Sequence, residues 1–155
     1  MSCVSLLEAE RDLLAGILLD AADLDSVTRI VSPADFSSVA HAKTFSAMAA
    51  IHRAGRLIDL ASVIDVLAKR GDLDGVGGAA FVGMLDATIP VVAKLAWYAA
   101  QVADAALLRR LVAAGEKIAA LGRAWHEDGG ALVEVAEQLI KDARSSRVEG
   151  EVVHV

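Results

Sequence analysis

The chain is poor in cysteine, in aromatic residues and in long apolar runs, and each shortage excludes a class of protein. One cysteine, Cys3, in 155 residues cannot form an internal disulfide, so a secreted disulfide scaffold is excluded and a cytoplasmic protein is expected. The charge-free run from Leu13 to Leu19 is far shorter than the ~20 apolar residues of a membrane span. No basic segment leads into an apolar one as in a signal peptide. A soluble protein without membrane contact is therefore expected.

Positive charge is also scarce. The sequence has 15 basic and 21 acidic residues, a formal net charge of −6, whereas proteins that coat nucleic-acid phosphates are rich in Lys and Arg. Aromatic residues, at 4%, are too few for the stacking platforms of single-strand binding proteins. Weak or no direct DNA binding is expected. Four basic residues that could touch phosphates are diluted by acidic neighbours, which favours a solvated helix face; they are Arg109, Arg110, Lys117 and Arg123.

Alanine makes up about a fifth of the chain, and this excess predicts an all-α fold. Alanine is the strongest helix former and allows close helix packing, whereas strands favour β-branched and aromatic residues. Capping residues, glycines and apolar spacing divide the first part of the chain into helices. The predicted helices are Ser5 to Asp20, opening on a Ser5-x-x-Glu8 capping box, Leu24 to Val31, Val39 to Ala54, Asp59 to Arg70, and Ala79 to Asp86 after a glycine loop at Gly75, Gly77 and Gly78.

The second part of the chain predicts a long antiparallel helical hairpin. No proline occurs between Val91 and Trp125, so one long helix or two nearly continuous ones can form. Apolar residues at spacings of 4 and 3 form a seam of the coiled-coil type, and a second seam follows the glycine turn. The seam residues predicted to form the hairpin and the dimer interface are Leu107, Leu111, Ala114, Ile118, Leu121, Trp125, Leu132, Val135 and Leu139.

These patterns predict a small helical head at residues 1–90, the hairpin at residues 91–144, and a tail or linker at residues 145–155. A hairpin that projects from a head leaves one side of its seam unpaired, and exposed apolar patches of this kind mark partner surfaces. The alternative is that the seam packs back onto the head.

No catalytic, cofactor-binding or metal site is predicted. The Walker A pattern is absent, and the glycines at 75–78 follow no predicted strand, which favours a plain turn over a phosphate site. The four histidines lack a second ligand type at metal spacing. Glu151 and His154 form one half of a di-iron E-x-x-H motif that requires two copies. Cys3, near the amino terminus, has no base beside it in sequence.

Several short motifs in their order along the chain nevertheless resemble a known family, the N-terminal domain of DnaB-type replicative DNA helicases. The resemblance covers residues 6–143, and Ser37, Leu57, Phe81 and Lys94 depart from the usual family pattern. The matching segments are residues 7–10 (LEAE), 14–20 (LAGILLD), 31–36 (VSPADF), 58–60 (IDL), 71–73 (GDL) and 107–112 (LLRRLV), with His41, Phe45, Gly55, Gly77, Gly78, Pro90 and Tyr98 between them.

The resemblance implies an assembly domain of a replicative helicase, active in DNA replication through self-association and partner binding. In the family such domains pair through their hairpins and build a collar, a trimer of dimers, that docks primase and responds to the helicase loader. The ATPase motor that binds ATP and Mg²⁺ belongs to another domain, so this chain is not expected to be an enzyme on its own. The alternative is a stand-alone relative of this domain that modulates a host helicase or primase.

Overall fold

The computed structural model describes the backbone of residues 3–91 and 94–152 and the side chains of residues 6–91 and 94–144. Within these residues the chain forms α-helices and one 3-10 turn, and no strand. The predicted all-α fold is confirmed. The helices are α1 (Cys3–Leu19), α2 (Leu24–Ile30), α3 (Val39–Arg53), α4 (Leu60–Lys69), α5 (Leu73–Val76), α6 (Gly78–Ala87), α7 (Leu95–Ala124) and α8 (Gly129–Val152), with the 3-10 turn at Pro33–Asp35.

Packing contacts divide the chain into two compact units, one ending at Ala103 and one beginning at Asp104. The division falls inside α7, whereas the sequence analysis placed it after residue 90, so the first unit includes the first turns of the long helix. In the second unit, α8 continues to Val152 and therefore extends into the predicted tail at residues 145–155.

The core of the first unit collects the apolar faces of α1 and α3, the inner side of α4 and the start of α7. Leu13, Phe45 and Val63 lie within it with no more than 1% of their surface exposed. Gly16 permits a close approach between α1 and the start of α7, because a Cβ atom at this position would overlap the side chain of Leu95. Glycine at this position thus lets the two helices pack closely.

A side-chain cap and a glycine set two helix boundaries, the start of α4 and the end of α3, where the sequence predicts them. Asp59 accepts a hydrogen bond from the backbone of Ser62 at 2.8 Å, and Ser62 Oγ accepts one from the backbone of Asp59 at 2.9 Å. This reciprocal pair caps α4 as predicted. Gly55, at φ +70°, ends α3 in the left-handed conformation that glycine adopts without strain.

Three local predictions were wrong. Ser5 lies inside α1, which begins at Cys3, so its capping-box pattern does not mark a helix start. Gly75 belongs to the short helix α5, and the left-handed turn falls at Gly77 with φ +116°. The long helix begins at Leu95 rather than near Val91.

Replacing Gly16 by alanine is expected to destabilise the first unit by about 1–3 kcal/mol, because the added methyl group would force Leu95 out of its packed position. The matched control is Gly83→Ala in α6, where an added Cβ meets nothing within 4 Å. This change should raise stability by up to about 1 kcal/mol through helix propensity. Chemical denaturation followed by circular dichroism measures both. Equal effects of the two substitutions would contradict the close approach at Gly16.

Candidate protein interaction surface

The histidines of the first unit are paired with carboxylates and are not gathered into a metal site. His52 Nε2 lies 2.7 Å from Asp25 Oδ1, which ties α3 to α2. His41 Nδ1 lies 3.0 Å from Glu10 Oε1. Among the described residues no group of three or more His, Cys, Asp or Glu could hold a metal ion. The Glu151 and His154 pattern falls outside the described side chains.

Among the described side chains of this unit, Glu10 is the most buried ionisable group, with 0% of its surface exposed. Its carboxylate accepts hydrogen bonds from the backbone and hydroxyl of Ser37, at 2.9 and 2.6 Å, and from the backbone of Ser38 at 3.2 Å. Burial alone would raise the pKa of Glu10, but the hydrogen bonds from His41, Ser37 and Ser38 outweigh it and lower the pKa. A carboxylate that accepts this many bonds is an anchor between α1 and the start of α3, and a poor general base.

The second unit is an antiparallel hairpin of α7 and α8. Arg110 Nε donates to the backbone carbonyl of Ala143 at 2.7 Å, and a Cβ at Gly122 would lie 3.7 Å from the side chain of Leu132. The turn between the helices is held by Trp125, whose indole Nε1 donates to the carbonyl of Asp128 at 2.9 Å. As residue numbers rise along α7, the numbers of the neighbouring residues on α8 fall, so the two helices are antiparallel.

The predicted seam residues of α7 and α8 are partly buried in the single chain. Ala114 is buried, while Leu111 and Val135 expose 39% and 37% of their surface. The remaining seam residues are half-buried: Leu107, Ile118, Leu121, Trp125, Leu132 and Leu139. Their role as packing residues within the hairpin and between two copies of the chain stays a prediction.

A second apolar surface lies beside the seam and was missed by the sequence analysis. On α7 and α8 each residue that follows a seam residue is displaced by about 100° around the helix. The prediction sets the seams of the two helices face to face, and the helices run in opposite directions. The residues that follow the seam on α7 and those that follow it on α8 therefore lie on the same side of the hairpin. We call this side the uncharged face; it consists of Leu108, Val112, Gly115, Ala119, Gly122, Val133, Ala136 and Ile140.

The large side chains of the uncharged face are open to solvent. Leu108, Val112, Val133 and Ile140 expose 57%, 61%, 56% and 50% of their surface, and no charged residue interrupts the set. The residues that precede the seam form the opposite side, the charged face, with Arg110, Ala113, Lys117, Ala120, Glu134 and Gln138. Such segregation of charge is typical of a surface that another protein covers. The sequence contained a signal for this face, because uncharged residues follow the predicted seam residues by one position on both helices.

Fold and surface together define a class, an all-α chain in which a unit of several helices is followed by a two-helix hairpin with one uncharged face. Among the described residues no helix combines the length and the apolar content that crossing a membrane requires.

Comparison with known proteins identifies the family within this class. The profile described as "DnaB-like helicase N terminal domain" matches residues 4–104, and the chain belongs to this family. The crystal structure of the N-terminal domain of DnaB helicase from Mycobacterium tuberculosis superposes with a TM-score of 0.80 at 35% identity, covering 88% of this chain and 96% of that one.

Full-length relatives extend well beyond the matched region. Replicative DNA helicase DnaB of Geobacillus stearothermophilus is 31% identical over 144 residues, 93% of this chain and 32% of the relative. The Mycobacterium leprae protein of the same name is 34% identical over 144 residues, 92% of this chain and 24% of the relative. The chain thus spans a third or less of the length of these helicases, within their N-terminal domain.

Removal of the Glu10 carboxylate is expected to destabilise the first unit by about 3 kcal/mol, because Glu10→Ala leaves the buried donors of Ser37, Ser38 and His41 without their acceptor. Glu8, exposed one half-turn earlier on α1, provides the matched control, and Glu8→Ala should change stability by less than about 0.5 kcal/mol. Urea denaturation at pH 7 compares the two variants with the parent chain. A loss of similar size in both would contradict the anchoring role of Glu10.

The same carboxylate predicts a pH dependence. The folded-state pKa of Glu10 lies below its ordinary value of 4.5, so its ionised form stabilises the fold fully above that value. This stabilisation is lost as the pH falls through the lowered pKa. The stability difference between the parent chain and Glu10→Gln should therefore shrink in acid. Denaturation curves collected between neutral and acidic pH test this, and a difference that grows as the pH falls would contradict it.

Proposed function

We propose that this chain acts as an assembly and docking domain of a replicative DNA helicase, and that it works in DNA replication by associating with copies of itself. Membership of the DnaB N-terminal domain family supports the setting. The uncharged face of the hairpin supports self-association, because it leaves four large aliphatic side chains half or more exposed. When this face packs against the same face of a second copy, the apolar surface of both copies is removed from water, as in two-fold dimers.

The proposal does not assign a reaction to the chain. The sequence contains no Walker A pattern, and the hydrolysis of ATP is attributed to the part of the helicase that lies outside the matched region. Pairs of copies would assemble further into a trimer of dimers. Primase and the helicase loader are the partners that the family resemblance supplies for this assembly.

Self-association is tested by light scattering coupled to size-exclusion chromatography. The parent chain is expected to elute as a dimer or larger assembly, and Leu108→Glu and Val112→Glu should shift it towards monomer by at least tenfold in dissociation constant, since each places a charge in the buried patch. Both residues are exposed in the single chain, so helix content should stay unchanged. Ala113→Glu and Ala120→Glu, on the charged face of the same helix, are matched controls.

A different result is expected at the seam. Ile118 is half-buried in the single chain, and the proposed seam places it against α8, so Ile118→Glu should open the hairpin and lower helix content, whatever its effect on association. A parent chain that remains monomeric at high concentration, or controls that dissociate as readily as Leu108→Glu, would overturn the proposal.

Docking of other replication proteins is tested separately. The chain, immobilised at low density, should retain primase or the loader from the same cell. Single-stranded DNA offered in the same assay should be retained weakly or not at all. Tight DNA binding with a steep salt dependence would contradict this assignment.

A further inference from the structure

Five large apolar side chains are exposed where α1, α6 and the start of α7 come together in the first unit. Pro90 and Leu95 lie against α1 at Gly16, where a Cβ atom would stand 3.5 Å from the Pro90 side chain. The end of α1 lies about one turn beyond Gly16, so it borders the same surface as the residues on either side of Pro90. We call this surface the connector patch; it consists of Leu19, Met84, Ile89, Val91 and Trp97, each between 48% and 91% exposed.

Two contacts hold side chains of the connector patch in place. Thr88 Oγ1 donates to the carbonyl of Met84 at 2.7 Å, so the chain leaves α6 beside Met84 and turns directly into Ile89. Trp97 packs edge-on against the buried ring of Tyr98, with ring centroids 5.1 Å apart. A tryptophan that is oriented by a neighbour and still half exposed is a preferred anchor for a bound protein. The patch is therefore a formed surface, and exposed apolar surfaces of this kind mark partner sites.

The surroundings of the patch are negative. Both α1 and α6 end there, and neither has a basic residue in its last turn, where the helix dipole and the free carbonyls favour a cation. Asp86 lies in the last turn of α6, and Asp20 and Asp23 follow α1. All three are exposed, and none forms an ion pair with another described residue. Lys94 is the one cation in residues 84–97.

This charge selects the occupant of the patch. A second copy of the chain would bring the same carboxylates and helix ends against each other, and such like-charge contacts are unfavourable. Nucleic acids and anionic lipid surfaces are repelled for the same reason. A basic segment of another protein would instead complement the carboxylates and both helix ends. Since the part of the chain that the structure describes contains no strand, it offers no sheet edge for strand addition, which leaves an amphipathic helix as the binding mode.

We propose that the connector patch binds an amphipathic α-helix, rich in lysine or arginine, of a partner protein. Apolar side chains of this helix at positions i, i+4 and i+7 cover Ile89 and Trp97. Its cations lie beside Asp86 and the carbonyl ends of α1 and α6. The inference rests on the docking role proposed above, to which it gives a surface and a partner chemistry, and it does not involve the hairpin.

The fluorescence of Trp97 measures this interaction. The chain has two tryptophans, so Trp125→Phe leaves Trp97 as the only one, and circular dichroism checks that helix content is kept. The probe is a helical peptide of about 18 residues, five turns of helix, with leucines at i, i+4, i+7 and i+11 and lysines on its outer positions. Binding should move the emission of Trp97 to shorter wavelength. The same peptide with glutamate in place of lysine should bind about tenfold more weakly or less, a preference that shrinks at high salt.

Matched substitutions locate the binding site. Met84→Ser and Ile89→Ser should each weaken binding of the lysine peptide by about fivefold or more, since each removes an exposed anchor. Leu57→Ser is their control, because Leu57 is exposed to a similar extent in the first unit but lies between α3 and α4. Asp86→Lys should weaken binding by about fivefold through loss of charge complementarity. Asp74→Lys, on exposed α5 before the other end of α6, should leave binding unchanged.

The outcomes separate this inference from the function on which it rests. Equal binding of the two peptides, or unchanged binding by Met84→Ser and Ile89→Ser, overturns it. A shift towards monomer on Ile89→Ser in light scattering also overturns it, because a second copy would then cover the patch. Retention of primase or the loader by a chain that does not bind the lysine peptide overturns the surface and leaves the docking role in place. A chain that binds this peptide at the patch and retains neither protein supports the surface and overturns the docking role.

Discussion

The first unit depends on one buried carboxylate. Glu10 on α1 is removed from water, and such burial is costly for an ionised group unless several donors compensate it. Ser37 and Ser38, at the start of α3, provide backbone and hydroxyl donors, and His41 faces the carboxylate from the first turn of that helix. Both the position of α3 against α1 and the path of the chain through the preceding turn therefore follow from this cluster.

The cluster also explains how far the fold could be predicted from sequence. Helix class and many boundaries follow from local chemistry, as at Asp59 and Gly55. The Glu10 contacts join residues 27 to 31 positions apart, so no local sequence pattern predicts them. Ser37 departs from the usual tyrosine of the family, yet its hydroxyl makes the shortest bond to Glu10. At Ser5 a local pattern misleads instead. Its capping-box sequence predicts a helix start, but α1 begins two residues earlier, at Cys3.

On the hairpin, too, some features follow from local sequence patterns and others depend on how the two helices pack. The seam could be read from spacing alone because it repeats at 4 and 3 residues, but spacing does not say whether a seam packs within one chain or between two. The half-burial of Ile118 and the nearness of Gly122 to Leu132 are consistent with packing inside the hairpin, and the role of the seam between copies stays a prediction. The antiparallel direction of α8 relative to α7, which the sequence predicted, sets Ile140 on the same side as Leu108, and the structure adds that both side chains are exposed.

The glycines of α7 link the stability of the hairpin to its assembly. A hairpin of two helices buries little apolar surface by itself, and glycine at positions 115 and 122 weakens the longer helix further. If the proposed self-association covers the uncharged face, part of the stability lost in the single chain is recovered when a copy binds. Binding to the folded form alone shifts the folding equilibrium by mass action. The hairpin would then be most stable where copies of the chain are concentrated.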